Sequence, residues 1–173
     1  MITFIKLLLI IIILTSCTYL GYIKSISYIK REKILRDFSI FFNRIKAEIV
    51  YTQNTVPNLI ENNRQDLSLE IKNALGAIST DILINKTPFN IQKSIEKNIN
   101  DIKFLEETDK NYIIKGLNIL GKTDIDGQQN LINNTISLLD IQIKNALDME
   151  NKNSKLYKKL GILLGLFLVI VVI

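Results

Sequence analysis

Apolar residues fall along this chain in two patterns, as unbroken runs toward its ends and as stripes of helical period between them. Leu7 to Ile23 (LLLIIIILTSCTYLGYI) makes seventeen positions without a charge, and Leu160 to Ile173 (LGILLGLFLVIVVI) makes fourteen. A helix crossing a bilayer needs about 20 predominantly apolar residues, so the first run is near the lower limit of a span. The second, at about 1.5 Å per residue, covers roughly 21 Å of a hydrocarbon core about 30 Å thick. Leu156 and Tyr157 lengthen its apolar side by a turn, and the stems of Lys158 and Lys159 can run along it toward the headgroups. Both runs are expected to anchor the chain in a membrane.

Between the runs the period is that of helices. Leu35, Phe38, Phe42, Ile45 and Ile49 step by three and four along one stripe, and nothing from Ile23 to Ile34 interrupts a helix, so one helix is expected from the first run to about Tyr51. Thr55 and Pro57 read as the stop of that helix and the start of the next. Leu67, Ile71, Leu75, Ile78 and Ile82 predict a third helix, which tolerates Gly76. Thr87-Pro88 is an N-cap followed by a proline in the first turn, opening a helix that carries Ile91, Ile95, Ile99 and Ile102. Thr108 or Asp109 is expected to cap a helix bearing Ile113, Leu117 and Leu120, with Gly121 suited to its end. After the turn KTDIDG the longest helix is expected, from about Gln128 to the chain end, with Ile132, Ile136, Leu139, Ile143 and Ala146 on one seam that fades near Asn151. No window alternates with the period of a half-buried strand. The predicted fold is all-α: a cytosolic helical bundle or hairpin (residues 24–159) flanked by an N-terminal (1–23) and a C-terminal (160–173) transmembrane helix.

Charge supplies the orientation. Lys24, Lys30, Arg31, Lys33 and Arg36 follow the first run, and Lys152, Lys155, Lys158 and Lys159 precede the last. Cytoplasmic flanks collect Lys and Arg within about 15–20 residues of a membrane helix. Both clusters lie on the inner side of their runs, so the body is expected in the cytosol and both ends outside, with Lys6 alone opposing.

The net charge of +5 belongs to those clusters. Of 22 Lys and Arg, nine are juxtamembrane and one is Lys6, which leaves twelve between Asp37 and Glu150 against sixteen of the 17 acids. The body therefore carries about −4, its basic edges suit anionic lipid, and nucleic acid is not expected as a partner. The chain has no histidine, and its one cysteine, Cys17, lies in the first run. That removes the usual general base, the commonest metal ligand and any disulfide framework, so neither cofactor nor catalytic residue is expected.

Gly116-Leu117-Asn118-Ile119-Leu120-Gly121-Lys122-Thr123 matches the phosphate-loop spacing G-x-x-x-x-G-K-T. That chemistry needs a strand before the loop and backbone N–H groups free to cradle phosphate, whereas here the match covers a helix end whose core needs Leu117 and Leu120. Nucleotide hydrolysis is thus the weakest functional reading. Asp124, Asp126 and Gly127 lack the spacing and ligand count of a calcium loop and read as a solvated turn capping the long helix. Glu48, beside the first stripe, reads either as a solvated side chain or as a partner contact. Leu14-Thr15-Ser16-Cys17 has the look of a lipobox, which gives the alternative function: a lipoprotein lipidated at Cys17 with its helical body outside the cell.

Four segments together resemble the stage III sporulation protein AB family of endospore-forming bacteria. They are the N-terminal run with its basic exit; A-E-I-V-Y at Ala47–Tyr51 with T-x-P-x-L at Thr55–Leu59; L-G-K-T-D…G-Q-Q at Leu120–Gln129; and the tail K-L-Y-K-K-L-G-I-L-L-G-L. The proline falls one residue later than the family pattern, and Lys122-Thr123 also departs from it. The family is distantly similar to the inner-membrane platform protein F of type II secretion. The resemblance therefore implies a non-catalytic, multi-pass platform subunit in the mother-cell membrane around the forespore. Its implied partners are a cytosolic secretion-type ATPase like stage III sporulation protein AA, other membrane subunits, and the bilayer. Glu48, Tyr51, Thr55, Pro57 and Leu59, at the corner where the first long helix turns, are the expected partner contact.

Overall fold

In the computed structural model every regular element among the described residues is helical; those residues are 2–52, 54–84 and 87–172, with side chains described except at 2–7, 9, 171 and 172. In order come α1 (Ile2–Tyr51), α2 (Val56–Asn63), α3 (Leu69–Ile84), α4 (Pro88–Asn100), α5 (Glu107–Ile119), α6 (Ile125–Met149), a π-helical turn (Glu150–Ser154) and α7 (Lys155–Val172). The chain divides into two compact units, Met1–Glu32 with Asn145–Ile173, and Lys33–Lys144.

The Lys33–Lys144 unit is a bundle in which α2, α3, α4 and α5 pack in succession. Its interior is the set of stripes read from the sequence: Leu35, Phe38, Phe42, Ile45 and Ile49 from α1 and Ile71, Leu75 and Ile78 from α3 are buried, as are Ile95, Ile99, Ile113, Leu117, Ile132 and Leu139. Fully burying one such side chain contributes about 1.5–3 kcal/mol, which is why period alone located the core. Phe41, adjacent to the stripe, is also wholly buried and meets the Phe42 ring edge-on at 5.5 Å.

Several ends differ from the expected ones. α5 starts a residue before Thr108, with Glu106 at the N-cap, and Asp109 acts from inside the helix, its Oδ2 accepting from the Glu106 backbone N–H at 3.0 Å. A carboxylate in the first turn satisfies an otherwise orphaned donor, so Asp109 stabilises the start without being the cap. α6 starts at Ile125, inside the expected turn, because Asp124 provides the first helical acceptor, taking the Gln128 N–H at 2.9 Å. The last helix is not continuous: the ladder loosens to a π turn over Glu150–Ser154, where the apolar seam gives out. At 50 residues α1, and not the last helix, is the longest.

The other unit is an antiparallel helix pair. Across it Gly21 faces Gly161, Cys17 faces Gly165, Tyr28 stacks on Tyr157 with centroids 5.9 Å apart, and Ser25 shares a buried hydrogen bond of 2.7 Å with Ser154. A Cβ on Gly21 would lie 2.6 Å from the Tyr157 carbonyl oxygen, so glycine there allows backbone to meet backbone. Small residues every fourth position are how helices approach when hydrophobic burial does not drive them together. The outward sides are large and apolar: Leu8, Ile11, Ile12 and Leu20 on α1, and Leu163, Leu164, Phe167 and Ile170 on α7, are exposed. Among the described residues α1 is long and apolar enough, from Ile10 onward, to cross a membrane. In α7 three lysines occupy the first five residues, which shortens its uncharged stretch.

Candidate partner-contact site

At the α1–α2 corner Glu48, in the last turn of α1, is half-buried and collects three amide donors. Its Oε1 accepts from Asn54 Nδ2 at 2.8 Å and from Asn62 Nδ2 at 3.1 Å, and its Oε2 accepts from Asn63 Nδ2 at 2.6 Å. Asn63 Nδ2 also donates to the Leu59 carbonyl at 2.8 Å, so the carboxylate ties the end of α1 to the last turn of α2 and to the loop before it. Burial pushes the Glu48 carboxyl up, but the amides of Asn63, Asn62 and Asn54 favour the charged form and hold it below the ordinary value. Glu48 is thus a fastener of the corner.

The other four expected contact residues divide by depth. Tyr51 is 86% exposed and Thr55 is exposed, its side chain making no cap hydrogen bond although its carbonyl accepts the Leu59 N–H at 3.0 Å. Pro57 and Leu59 are buried, and the Pro57 carbonyl accepts from Ser79 Oγ at 3.2 Å. Pro57 therefore ties α2 to α3 and Leu59 belongs to the buried core, whereas Tyr51 and Thr55 are the expected contact residues that the corner presents to solvent. Sequence reading missed the three asparagines, since a chain rich in Asn gives no sign of which amides converge. It also missed Arg64, whose Nε and Nη2 grip the Glu61 carboxylate while Nη1 donates to the Lys72 carbonyl at 3.0 Å. The Arg64 hydrogen bond holds the Glu61 carboxyl low and Glu61 raises Arg64 in turn.

The G-x-x-x-x-G-K-T segment is helix and cap. Gly116 is buried inside α5, where a Cβ would lie 2.7 Å from both Phe42 Cζ and Thr135 Cγ2. Gly121 has φ +76°, the left-handed residue that ends the helix, and the Lys122 N–H returns to the Ile119 carbonyl at 3.1 Å. The Leu120 and Lys122 N–H groups return to helix carbonyls and the Gly121 N–H donates to Gln128 Oε1 at 3.1 Å, so these three amides are not free to cradle a phosphate. At Asp124–Gly127 the acids are exposed, and no group of three His, Cys, Asp or Glu side chains able to hold a metal occurs among the described residues.

A solved structure of a stage III sporulation protein AB superposes on this chain with TM-score 0.62 at 16% identity, covering 70% of this chain and 96% of that one, a likeness of fold. No curated protein matches the chain. The stage III sporulation protein AB family model matches residues 6–173, nearly the whole length. The corner motif, the Leu120–Gln129 turn and the glycine-bearing tail all lie inside that match, and the chain belongs to the stage III sporulation protein AB family.

Proposed function

We propose that this sporulation protein is a non-catalytic membrane platform subunit of a secretion-like complex between mother cell and forespore. Its two terminal helices are anchors, its helical body lies in the cytosol, and the Tyr51–Thr55 corner receives a secretion-type ATPase. The observation that carries the reading is the antiparallel pair: a seam of glycines and serines inside, and large apolar side chains facing outward where a water-soluble domain would place charge. An antiparallel pair also leaves both chain ends on one side, in keeping with basic clusters on the other. The net negative body fits a cytosolic protein surface better than an anionic membrane face.

Topology is tested with a cysteine at exposed Lys97 in a Cys17→Ala background. The thiol should resist a membrane-impermeant maleimide in intact cells and react after permeabilisation, and labelling of intact cells refutes the orientation. ATPase recruitment is tested with Tyr51→Ala and Thr55→Ala together, leaving Glu48 in place because its loss would loosen the corner itself. Recruitment to the membrane should fall at unchanged protein level, and unaffected recruitment removes the corner as the contact.

A further inference from the structure

Two neighbouring cavities in the Lys33–Lys144 unit share a wall. The larger, about 550 Å³, opens between α4, α5 and α6, and Gln92, Lys115, Asn118, Lys122 and Asn134 are among its polar lining residues. No side chain lining it is acidic. The smaller, about 260 Å³, is apolar, walled by residues such as Val56, Ile60, Ile78, Ile95 and Leu120, and its polar side chains are Asn118 and Lys122 again. Those two residues are the shared wall, so a basic basin and a greasy recess form one cleft.

Three features of the cleft are unfinished. The ammonium groups of Lys115 and Lys122 are exposed and make no hydrogen bond or ion pair among the described residues, while the carboxylate of Glu96, one turn along α4 from the lining residue Gln92, already accepts from Gln92 Nε2 at 2.9 Å. Asn118 Oδ1 is buried without a hydrogen-bond partner, a state that ordinarily costs about 1–3 kcal/mol. The recess is bordered in sequence by Leu83, Ile84 and Phe89, which flank its lining residues Ile82 and Pro88 and are exposed. A cation pair asks for carboxylates, a lone buried acceptor asks for an N–H, and an apolar recess asks for one large apolar side chain.

We infer that this cleft binds an extended acidic segment of a partner protein. A Leu-sized or aromatic side chain fills the recess, carboxylates on either side of it pair with Lys115 and Lys122, and a backbone N–H of the segment donates to Asn118 Oδ1. Charge complementarity selects this occupant: a basic segment would set like charges together in a basin without acids, and a purely apolar one would leave both ammonium groups and the Asn118 acceptor unserved. The inference deepens the partner-contact reading, on which it rests for the existence of a partner. Val56, next to Thr55, lies within the recess wall and would meet a Cβ on Gly121 at 2.8 Å, so corner and cleft adjoin. It also gives Lys122 a role outside phosphate chemistry.

The test uses the full chain in detergent micelles as bait for a displayed library of random dodecapeptides, with empty micelles as the subtraction control. The expected winners carry one large apolar residue flanked by Asp or Glu. A fluorescein-labelled winner should bind at least tenfold more weakly to Lys115→Glu/Lys122→Glu, several-fold more weakly to Asn118→Ala, and progressively less as salt rises. Circular dichroism of each variant guards against loss of fold. Winners without acidic residues, winners no better than on empty micelles, or unchanged affinity in the charge-reversed variant overturn the proposal. If the peptide binds as described while ATPase recruitment survives Tyr51→Ala/Thr55→Ala, the corner contact falls and the cleft stands.

Discussion

Replacing Gly116 with alanine adds one methyl group where the bundle has no room for it. An ideal Cβ at this position lies 2.7 Å from Phe42 Cζ, 2.7 Å from Thr135 Cγ2 and 3.0 Å from Phe42 Cε1. Phe42 is wholly buried with Phe41 against its edge, and Thr135 is held by its own hydrogen bond to the Leu131 carbonyl at 3.0 Å, so neither can swing away freely. Overpacking a filled core by a methylene costs about 1–3 kcal/mol, and alanine returns up to about 1 kcal/mol of helix propensity. With two immovable neighbours the expected net loss is about 1–2 kcal/mol. For a protein of this size that lowers the melting temperature by about 2–8 °C. Gly76→Ala is the milder comparison, because the same methyl in α3 meets only the Arg64 guanidinium, 2.9 Å away at the end of a long side chain that can shift by giving up its hydrogen bond to the Lys72 carbonyl. Thermal unfolding of the two variants in micelles, followed by circular dichroism, should put Gly116→Ala clearly below Gly76→Ala. Phe42→Leu should then be less harmful in the Gly116→Ala background than alone, since neighbours that share one space are not additive. Equal melting temperatures, or no coupling with Phe42, refute the packing argument.

Glu48→Gln should cost about 1 kcal/mol at neutral pH by replacing a charged acceptor of three amides. Because the native carboxyl titrates below its ordinary value of 4.5, its contribution is complete above that pH and disappears as pH falls through the native value. The stability gap between wild type and Glu48→Gln, measured by denaturant titration, should therefore close on acidification below about pH 4.5, and a gap that persists there contradicts the assignment. In the other unit, Gly165→Cys should form an intrachain disulfide with Cys17, because a Cβ at 165 lies 3.4 Å from Cys17 Cβ, close to the usual range for a bridge. Mild oxidation should give a faster-migrating monomer on a non-reducing gel, and adding Gly21→Ile should abolish it. Failure to bridge at any oxidant level, in protein whose intact mass shows Cys17 unmodified, refutes the close pair.

The bundle was legible because its core follows helical period. Leu35 to Ile49, Leu67 to Ile78 and Ile113 to Leu120 were placed on buried faces by spacing alone, and burial is the largest favourable contribution to folding. Helix ends were less so, and the Glu106–Asp109 start shows why. Thr108 and Asp109 are good caps by residue type, yet the helix begins before both, at Glu107, with Glu106 at the N-cap and Asp109 accepting its backbone N–H from inside the first turn. The π turn at Glu150–Ser154 had only an indirect trace, the fading of the apolar seam. The ladder loosens where the large apolar side chains of the seam have run out, although Ser154 at the end of the turn is buried on Ser25, and a sequence shows the end of a seam only weakly.

The polar sites were harder to read, and the asparagines explain the difficulty. In a chain this rich in Asn and Lys, residue type says little about role, and an amide becomes informative only through its neighbours. Asn54, Asn62 and Asn63 matter because they meet on one carboxylate, and Asn118 because its acceptor meets nothing. The two situations have opposite consequences. A satisfied cluster such as the one on Glu48 fixes local geometry and leaves the surface beside it, Tyr51 and Thr55, to make contacts. An unsatisfied acceptor between two uncommitted lysines keeps the cost of its burial in the free protein, and any partner that supplies the missing N–H and carboxylates recovers it on binding. Recognition by this chain is therefore best sought where its polar groups are incomplete, along α5 and its cap, and its rigidity where they are complete, at the corner that α1 makes with α2.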